Sequence, residues 1–143
     1  MVAISTSCDA ILLSQLYQNC FNKTWGIEAL QKQLEHPHTH ALIAENFGFC
    51  IWQEAIDTAD LWYIATVQEA RQQGIATQLW QHMLQHMRQR NMTTVLIEVS
   101  VSNHTAIRFY QTMGCEEISV RKNYYRNDNG TREDALLLHY RLA

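Results

Sequence analysis

The 143-residue sequence has no long apolar run, no C-x-x-C cysteine pair, one proline and five glycines. Because no stretch approaches the ~18 apolar residues of a membrane span, we expect no membrane partner. No tract rich in proline or glycine divides the chain, and its length fits a single domain over residues 1–143. The first ten residues carry no basic group, which predicts the absence of a signal peptide.

Positive charge is also scarce. The formal net charge is -3, which argues against a nucleic-acid partner held by a basic face. A hydrophobic content of 47% and a charged content of 17% are typical of a folded globular chain. The four cysteines are Cys8, Cys20, Cys50 and Cys115, and their wide spacing predicts reduced thiols in a cytoplasmic protein.

Hydrophobic periodicity predicts four helices and six strands. The helices cover residues 9–20, a short segment after Thr24 as N-cap, a segment from Gly74 to about 87, and residues 102–114 with Ser102 or Asn103 as N-cap. The strands cover residues 41–45, 47–55, 60–67, 93–101, 116–120 and 134–142, the last two around an Asn129-Gly130 turn. This order predicts an α/β fold with a parallel β-α-β step at its centre.

The segment "ARQQGIATQLW" (residues 70–80) joins a predicted strand to the clearest helix and has no acidic residue from Arg71 to the helix end. The first N–H groups of a helix lack partners within it and lie at the positive end of its dipole. A glycine at this point lets an anion approach the backbone, so the segment predicts an anion site. An ordinary strand-to-helix loop remains the alternative.

Glu98 lies in the apolar strand "VLIEVSV" (residues 95–101). A carboxylate in a buried strand costs several kcal/mol unless it is paired or hydrated, which favours a pocket at the sheet surface. The alternative is a glutamate satisfied by a nearby arginine or lying at the frayed end of the strand.

Two further groups of residues have both a functional and a structural interpretation. Tyr110 lies on the inner face of the last predicted helix, where an aromatic is usually core, although a buried hydroxyl needs a partner. The "HPHTH" stretch (residues 36–40) has three histidines, but without further ligands a polar loop is favoured over a metal site, so we predict none.

Three blocks resemble the GNAT acetyltransferase superfamily. "RQQGIA" (residues 71–76) matches its Q/R-x-x-G-x-G/A loop, and "IEVSVSNHTAIRFYQTMGC" resembles its L-x-V-x-x-x-N-x-x-A-I-x-x-Y-x-x-x-G-F block. "RKNYY" followed by "REDALLL" is similar to the members that acetylate protein N-termini, including the N-terminal alanine of a ribosomal protein. The resemblance implies a single mixed, largely antiparallel sheet with helices on both faces, and acetyl-CoA as co-substrate.

The resemblance also implies roles for individual residues. Coenzyme A would be bound by Ile64, Ala65, Thr66, Arg71, Gln72, Gln73, Gly74, Ile75, Ala76 and Asn103. Glu98 would be the general base and Tyr110 the general acid. Tyr124, Tyr125 and Tyr63 would bind the acceptor substrate.

The implied acceptor is a protein N-terminus. An α-amine with a pKa of about 7.7–8.0 is roughly one-tenth neutral at pH 7, whereas lysine near 10.4 is neutral only about four parts in ten thousand. One carboxylate base suits the α-amine better. The alternatives are acetylation of a lysine or a small-molecule amine, and a non-catalytic acyl-CoA-binding module.

Overall fold

In the computed structural model, which describes residues 2–142, all four predicted helices and all six predicted strands are present. In chain order the elements are β1 (Ile4–Thr6), α1 (Ala10–Phe21), α2 (Ile27–Glu35), β2 (Thr39–Ala44), β3 (Gly48–Ala55), β4 (Thr58–Thr66), α3 (Ile75–Gln89), β5 (Thr94–Ser100), α4 (His104–Thr112), β6 (Glu116–Arg126) and β7 (Arg132–Arg141). A single 3-10 turn, Gln68–Ala70, joins β4 to the loop before α3.

The strands form one seven-stranded sheet in the order β1-β2-β3-β4-β5-β7-β6. Only β4 and β5 pair in parallel, and every other neighbouring pair is antiparallel. The prediction of a mixed, largely antiparallel sheet is therefore confirmed. The sequence did not predict β1, because a three-residue strand is too short for its alternation to stand out.

The helix caps confirm most of the predicted boundaries. The Asp9 side chain accepts hydrogen bonds from the first turn of α1, and Asn103 caps α4 by accepting from the N–H of Ala106. Gly114, just beyond the α4 C-cap, has a φ of +98° as expected for the residue that ends a helix. The expectation that Thr24 caps α2 is wrong: the N-cap is Gly26, and no side chain caps that helix.

Strand β3 lies at the centre of the core, and Gly48 to Trp52 are all buried. Neighbouring residues of a strand point to opposite faces of the sheet. Phe49 contacts the ring of Phe21 in α1, whereas a side chain at Gly48 would meet Ile75 and Leu79 in α3. Helices therefore cover both faces of the sheet, as predicted.

The centre of the sheet opens where the two parallel strands part. β4 and β5 pair from Thr58 opposite Thr94 to Leu61 opposite Ile97. Beyond this point the two strands continue without pairing to each other. Trp62 is an extra residue in β4 between two pairs with β3, which makes a β-bulge at the same point. A bulge bends its strand, so the structure opens a cleft in the sheet after Leu61.

Between residues 2 and 142, no helix combines the length and the apolar character needed to span a membrane.

Candidate active site

The loop before α3 has the geometry of an anion-binding turn. Gln72 and Gly74 have positive φ values of 64° and 78°, and Gln73 between them does not. This alternation turns successive backbone N–H groups into one concave surface, which is a common way to bind anions. Gly74 is the N-cap of α3, no side chain caps that helix, and its first turn has no acidic residue. The first N–H groups of α3 therefore remain available to a ligand.

A cavity of about 560 Å³, called here the loop cavity, lies above this turn. It is lined by Cys20, Phe21, Ile64, Ala65, Thr66, Ala70, Arg71, Gln72, Gly74, Ile75, Ala76, Thr77, Asn103, Thr105, Ala106, Phe109 and Tyr110. The structure thus brings together every predicted coenzyme-binding residue except Gln73, which is in the loop but does not line the cavity. Space at Gly74 is open, since a Cβ there would meet nothing within 4 Å.

The last residues of β4 offer backbone donors to the loop cavity. Ala65 pairs with Phe49 of β3, and the N–H of Val67 donates to the carbonyl of Phe47 on the same side. Because alternate residues of a strand direct their amides to opposite sides, the N–H groups of Ile64 and Thr66 point into the cleft that β5 has left. Arg71 Nε donates to the Thr66 carbonyl at 3.2 Å and fastens the loop to this strand end.

Tyr110 is 7% exposed and packs against Trp80, with ring centroids 6.3 Å apart. Its hydroxyl has no hydrogen-bond partner, yet no fully buried polar side-chain atom among residues 2–142 lacks one. The hydroxyl therefore opens onto the loop cavity. Burial, followed by the neighbouring Cys115, raises the pKa of Tyr110 above its usual value, so the phenol keeps its proton at neutral pH.

A second cavity of about 680 Å³, called here the cleft cavity, lies on the open sheet face beside the start of α2. It is lined by Trp25, Asp60, Leu61, Trp62, Tyr63, Leu96, Glu98, Arg121, Tyr124, Tyr125 and Leu137. Glu98 is 30% exposed, and its Oε1 lies 3.2 Å from Nη1 of Arg121. Both of our interpretations of Glu98 therefore hold: it faces a pocket and it is paired with an arginine.

The three predicted acceptor-binding tyrosines line the cleft cavity. Tyr63 lies 5.2 Å from Tyr17 and 5.6 Å from Trp25 between ring centroids, and burial, then Tyr17, raises its pKa to about 12. Tyr124 and Tyr125 contact each other edge-on at 5.1 Å. Burial, followed by the charge of Glu98, raises the pKa of Tyr125 above its usual value.

The hairpin that carries these two tyrosines is fastened to the end of β5. Glu133 in β7 accepts hydrogen bonds from the hydroxyls of Ser100 and Ser102, the latter at 2.7 Å. Asn127 in the hairpin turn donates to the same carboxylate at 3.3 Å. These hydrogen bonds connect the hairpin to the residues that follow Glu98 along the chain.

The two cavities adjoin along β4. Asp60 to Tyr63 line the cleft cavity, and Ile64 to Thr66 line the loop cavity. Glu98 opens onto the first and Tyr110 onto the second, so the structure places them on the two sides of the strand opening.

Sequence reasoning missed several lining residues, among them Asp60, Arg121, Trp25 and Trp62. Asp60 carried a signal that could have been used, because it is the one acidic residue of the predicted strand "DLWYIATV" (residues 60–67). Arg121 carried none, since its approach to Glu98 depends on how β6 and β7 fold back on the sheet.

The histidines of the "HPHTH" stretch do not converge on one point. The Nδ1 atom of His36 accepts the N–H of His38, and both side chains are exposed. His40 is in β2 and stacks on Trp52 at 5.5 Å. Among residues 2–142, no group of three or more histidine, cysteine or acidic side chains is placed to hold a metal ion.

Comparison with known proteins identifies the family of this chain. Residues 11–115 match the model of the acetyltransferase (GNAT) family. The Escherichia coli protein named [ribosomal protein bS18]-alanine N-acetyltransferase is 36% identical over 91 residues, which cover 64% of this chain and 61% of that relative. A Bacillus subtilis relative is 32% identical over 130 residues, covering 87% of this chain and 83% of its own.

The similarity to a solved structure extends over a larger part of the chain than the sequence match to the E. coli relative. The crystal structure of the E. coli ribosomal-protein-S18-alanine N-acetyltransferase superposes with a TM-score of 0.85 at 26% identity, covering 100% of this chain and 95% of that one. Enzymes of the GNAT family use acetyl-CoA as acetyl donor. Since the family match takes in more than half of the sequence, and both the loop before α3 and the parted strands lie within it, the chain belongs to the acetyltransferase (GNAT) family.

Proposed function

We propose that this protein transfers an acetyl group from acetyl-CoA to the α-amine of a protein N-terminus. The observation that carries the proposal is the pair of adjoining cavities: an anion-binding turn serves one, a carboxylate and tyrosines line the other, and β4 connects them. One domain holds both substrates in this arrangement. Holding two reactants in contact contributes much of the rate in such a transfer.

The loop cavity fits coenzyme A. The N–H groups at residues 72–76 suit the pyrophosphate, and Arg71 adds a positive charge beside them. Asn103 uses its side-chain oxygen to cap α4, which leaves its amide N–H₂ for the pantetheine arm. Acetyl-CoA supplies an activated acetyl group as a thioester, and the N–H groups of Ile64 and Thr66 are the donors that would stabilise negative charge on its carbonyl oxygen.

Glu98 is the group proposed to accept the proton of the acceptor amine, directly or through water. Its position after the strand opening puts it on the acceptor side. Arg121 orients the carboxylate from one side and leaves its other oxygen free of ion pairs among the described residues. A carboxylate of this kind suits an α-amine, about one-tenth of which is already neutral at pH 7.

Tyr110 is the group proposed to return a proton to the leaving thiolate. Its hydroxyl faces the loop cavity, and its raised pKa means that it holds a proton to donate. The two proposed proton transfers therefore take place on opposite sides of the strand opening.

The acceptor we propose is the N-terminal alanine of a ribosomal protein, in a bacterial cytoplasm. The name of the E. coli relative supports this acceptor for that protein, and the four free cysteines fit a reducing compartment. The proposed entry for a polypeptide N-terminus is the cleft cavity between the start of α2 and the β6–β7 hairpin, where Trp25, Tyr124 and Tyr125 lie.

The test uses purified protein, acetyl-CoA and three peptides followed by mass spectrometry. One peptide begins with a free alanine and lacks lysine, one is identical but N-blocked, and one is N-blocked with an internal lysine. The proposal expects the gain of one acetyl group on the first peptide only. Acetylation of the third peptide alone would favour a lysine acetyltransferase, and coenzyme A binding without acetylation of any amine would favour a binding module.

A further inference from the structure

The cleft cavity holds a second carboxylate that the proposed reaction does not use. Asp60 on β4 lies opposite Leu96 on β5, and Glu98 is two residues further along β5. Residues two apart in a strand share a face, so Asp60 and Glu98 lie diagonally across the two strands on the same face of the sheet. Burial, followed by the charge of Glu98, raises the pKa of Asp60 above its usual value.

The two carboxylates differ in their partners. Glu98 has Arg121 at 3.2 Å, and the guanidinium of Arg121 also lies 5.5 Å from the ring centre of Tyr124. No Lys, Arg or His nitrogen among residues 2–142 lies within 4.0 Å of the Asp60 carboxylate. Asp60 is exposed, and together with Glu98 and Arg121 it gives the lining of the cleft cavity a formal charge of -1.

The walls of the cavity point to the same kind of ligand. Its aromatic lining consists of Trp25, Trp62, Tyr63, Tyr124 and Tyr125. The faces of tryptophan and tyrosine rings attract cations, and this attraction adds to that of a carboxylate. Together, the rings and the unpaired carboxylate are suited to a cationic group of the acceptor.

The position of Asp60 along β4 separates this cation from the amine that reacts. Asp60 lies four residues before Ile64, the first residue of β4 that lines the loop cavity proposed to hold the thioester. At roughly 3.3 Å per residue, this separation is about 13 Å. The reacting amine must come within about 3–3.5 Å of the thioester carbon. A residue one or two positions behind the amine has its Cα about 4–8 Å further along the acceptor, and the long side chain of a lysine or arginine extends the reach beyond that toward Asp60.

We propose that Asp60 determines acceptor specificity by binding a lysine or arginine at the second or third residue of the acceptor. This inference rests on the proposed N-terminal acetylation. It assigns the substrate class as N-termini with a basic residue close behind the acetylated one. An acidic residue at the same place would be repelled by both Asp60 and Glu98.

The experiment measures kcat/KM for alanine-initiated peptides that differ only in lysine, glutamine or glutamate at the second or third position. At one of these positions at least, the native enzyme should prefer lysine to glutamine, and glutamate should be poorest. Asp60→Asn should lower the ratio of kcat/KM for the lysine peptide to kcat/KM for the glutamine peptide about tenfold, mostly through the KM of the lysine peptide. Asp60→Lys should reverse the order of lysine and glutamate.

The matched control is Glu116→Gln, which removes one exposed carboxylate from β6 outside the cavity and should change none of these ratios. Equal rates for all peptides with native enzyme would overturn the inference alone. A lysine preference that survives in Asp60→Asn would overturn the assignment to Asp60. If no peptide is acetylated by native enzyme, the proposed function fails, and the inference fails with it.

Discussion

At the level of single residues, Tyr110 and Glu98, the two groups proposed to transfer protons, differ in how tightly their surroundings hold the side chain. Tyr110 is buried except for its hydroxyl, so its position is fixed by packing. Glu98 is 30% exposed and held by one partially exposed arginine, a kind of pair that contributes about 0–1 kcal/mol. Mutation of either residue should therefore affect activity far more than stability.

Tyr110→Phe should lower kcat by about 10²–10⁴-fold with little change in the affinity for acetyl-CoA. The physical reason is that the substitution removes the proton donor and little volume. Tyr140→Phe is the matched control, because Tyr140 packs against the same Trp80 at 5.6 Å and does not line the loop cavity. A near-native kcat for Tyr110→Phe, measured with an alanine-initiated peptide, would leave Tyr110 as a packing residue.

Glu98→Gln should abolish most turnover at pH 7 and leave the melting temperature close to native. The loss should shrink as pH rises toward 9.5, because more of the amine arrives neutral above its pKa near 8. The measurement is a pH–rate profile of both enzymes from about pH 6 to 9.5. If Glu98 serves only to bind Arg121, the rate ratio should stay constant with pH, and Arg121→Met should reproduce the effect.

At the element scale, the segment from residue 71 to the first turn of α3 works as one unit. The loop needs positive φ at two positions, and only Gly74 adopts it without strain. We predict that Gly74→Val weakens coenzyme A binding by at least tenfold, because the side chain would occupy open space that the phosphates need.

The positive φ adds a stability cost to this variant, of about 1–2 kcal/mol. Gly130→Val is the matched control: Gly130 also has a positive φ, of 85°, and open space around it, but lies in the β6–β7 turn away from the loop cavity. Calorimetry should show weaker coenzyme A binding for Gly74→Val alone, while thermal melting should show a similar loss of stability for both. Equal affinities for the two variants would contradict the binding role of the loop.

At the scale of the whole molecule, a buried polar network joins the first half of the sheet to the end of α3. Glu54 is 6% exposed and accepts hydrogen bonds from Trp52 Nε1 at 2.9 Å and from Arg90 at 2.8 and 2.7 Å. Burial opposes ionisation of Glu54, but the hydrogen bonds from Arg90 and Trp52 outweigh it and hold the pKa of this carboxyl below its usual value. His40 and His86 flank Trp52, and burial, followed by the charge of Arg90, lowers the pKa of both.

The lowered histidine pKa values predict acid sensitivity. Between its ordinary pKa near 6.5 and its lower folded value, each histidine binds a proton in the unfolded chain but not in the folded one, so stability falls as pH falls through this window. Thermal melting should therefore give a lower melting temperature at pH 5.5 than at pH 7.5. The double variant His40→Gln, His86→Gln should show a smaller drop than native protein, whereas His38→Gln, in an exposed turn, should behave like native protein. An unchanged drop in the double variant would assign the acid sensitivity to other groups.

Most of the helices and strands could be predicted from the sequence, because local sequence patterns specify local structure. The stripe from Ile75 to Met87 predicted α3, and Gly74 predicted the bend before it, where the structure has a positive φ. The anion site in this loop stays a prediction. Most elements agree with their predicted ranges to within a few residues. The predicted N-cap of α2 was wrong because Thr24, two residues before the observed N-cap Gly26, carries the same local signal as a true N-cap.

The relations between segments distant in sequence could be established only from the three-dimensional structure. The parting of β4 and β5 after Leu61 and Ile97, the pairing of Glu98 with Arg121, and the position of Asp60 in the same cavity as Glu98 depend on strand register and on how β6 and β7 return to the sheet. Side chains alternate between the two faces of a strand, so the sequence pattern specifies the face on which a residue lies. Which residue lies beside it on the neighbouring strand is set by long-range packing. The loop proposed to bind coenzyme A could therefore be identified from the sequence alone, whereas the charge balance of the cavity proposed to bind the acceptor could not.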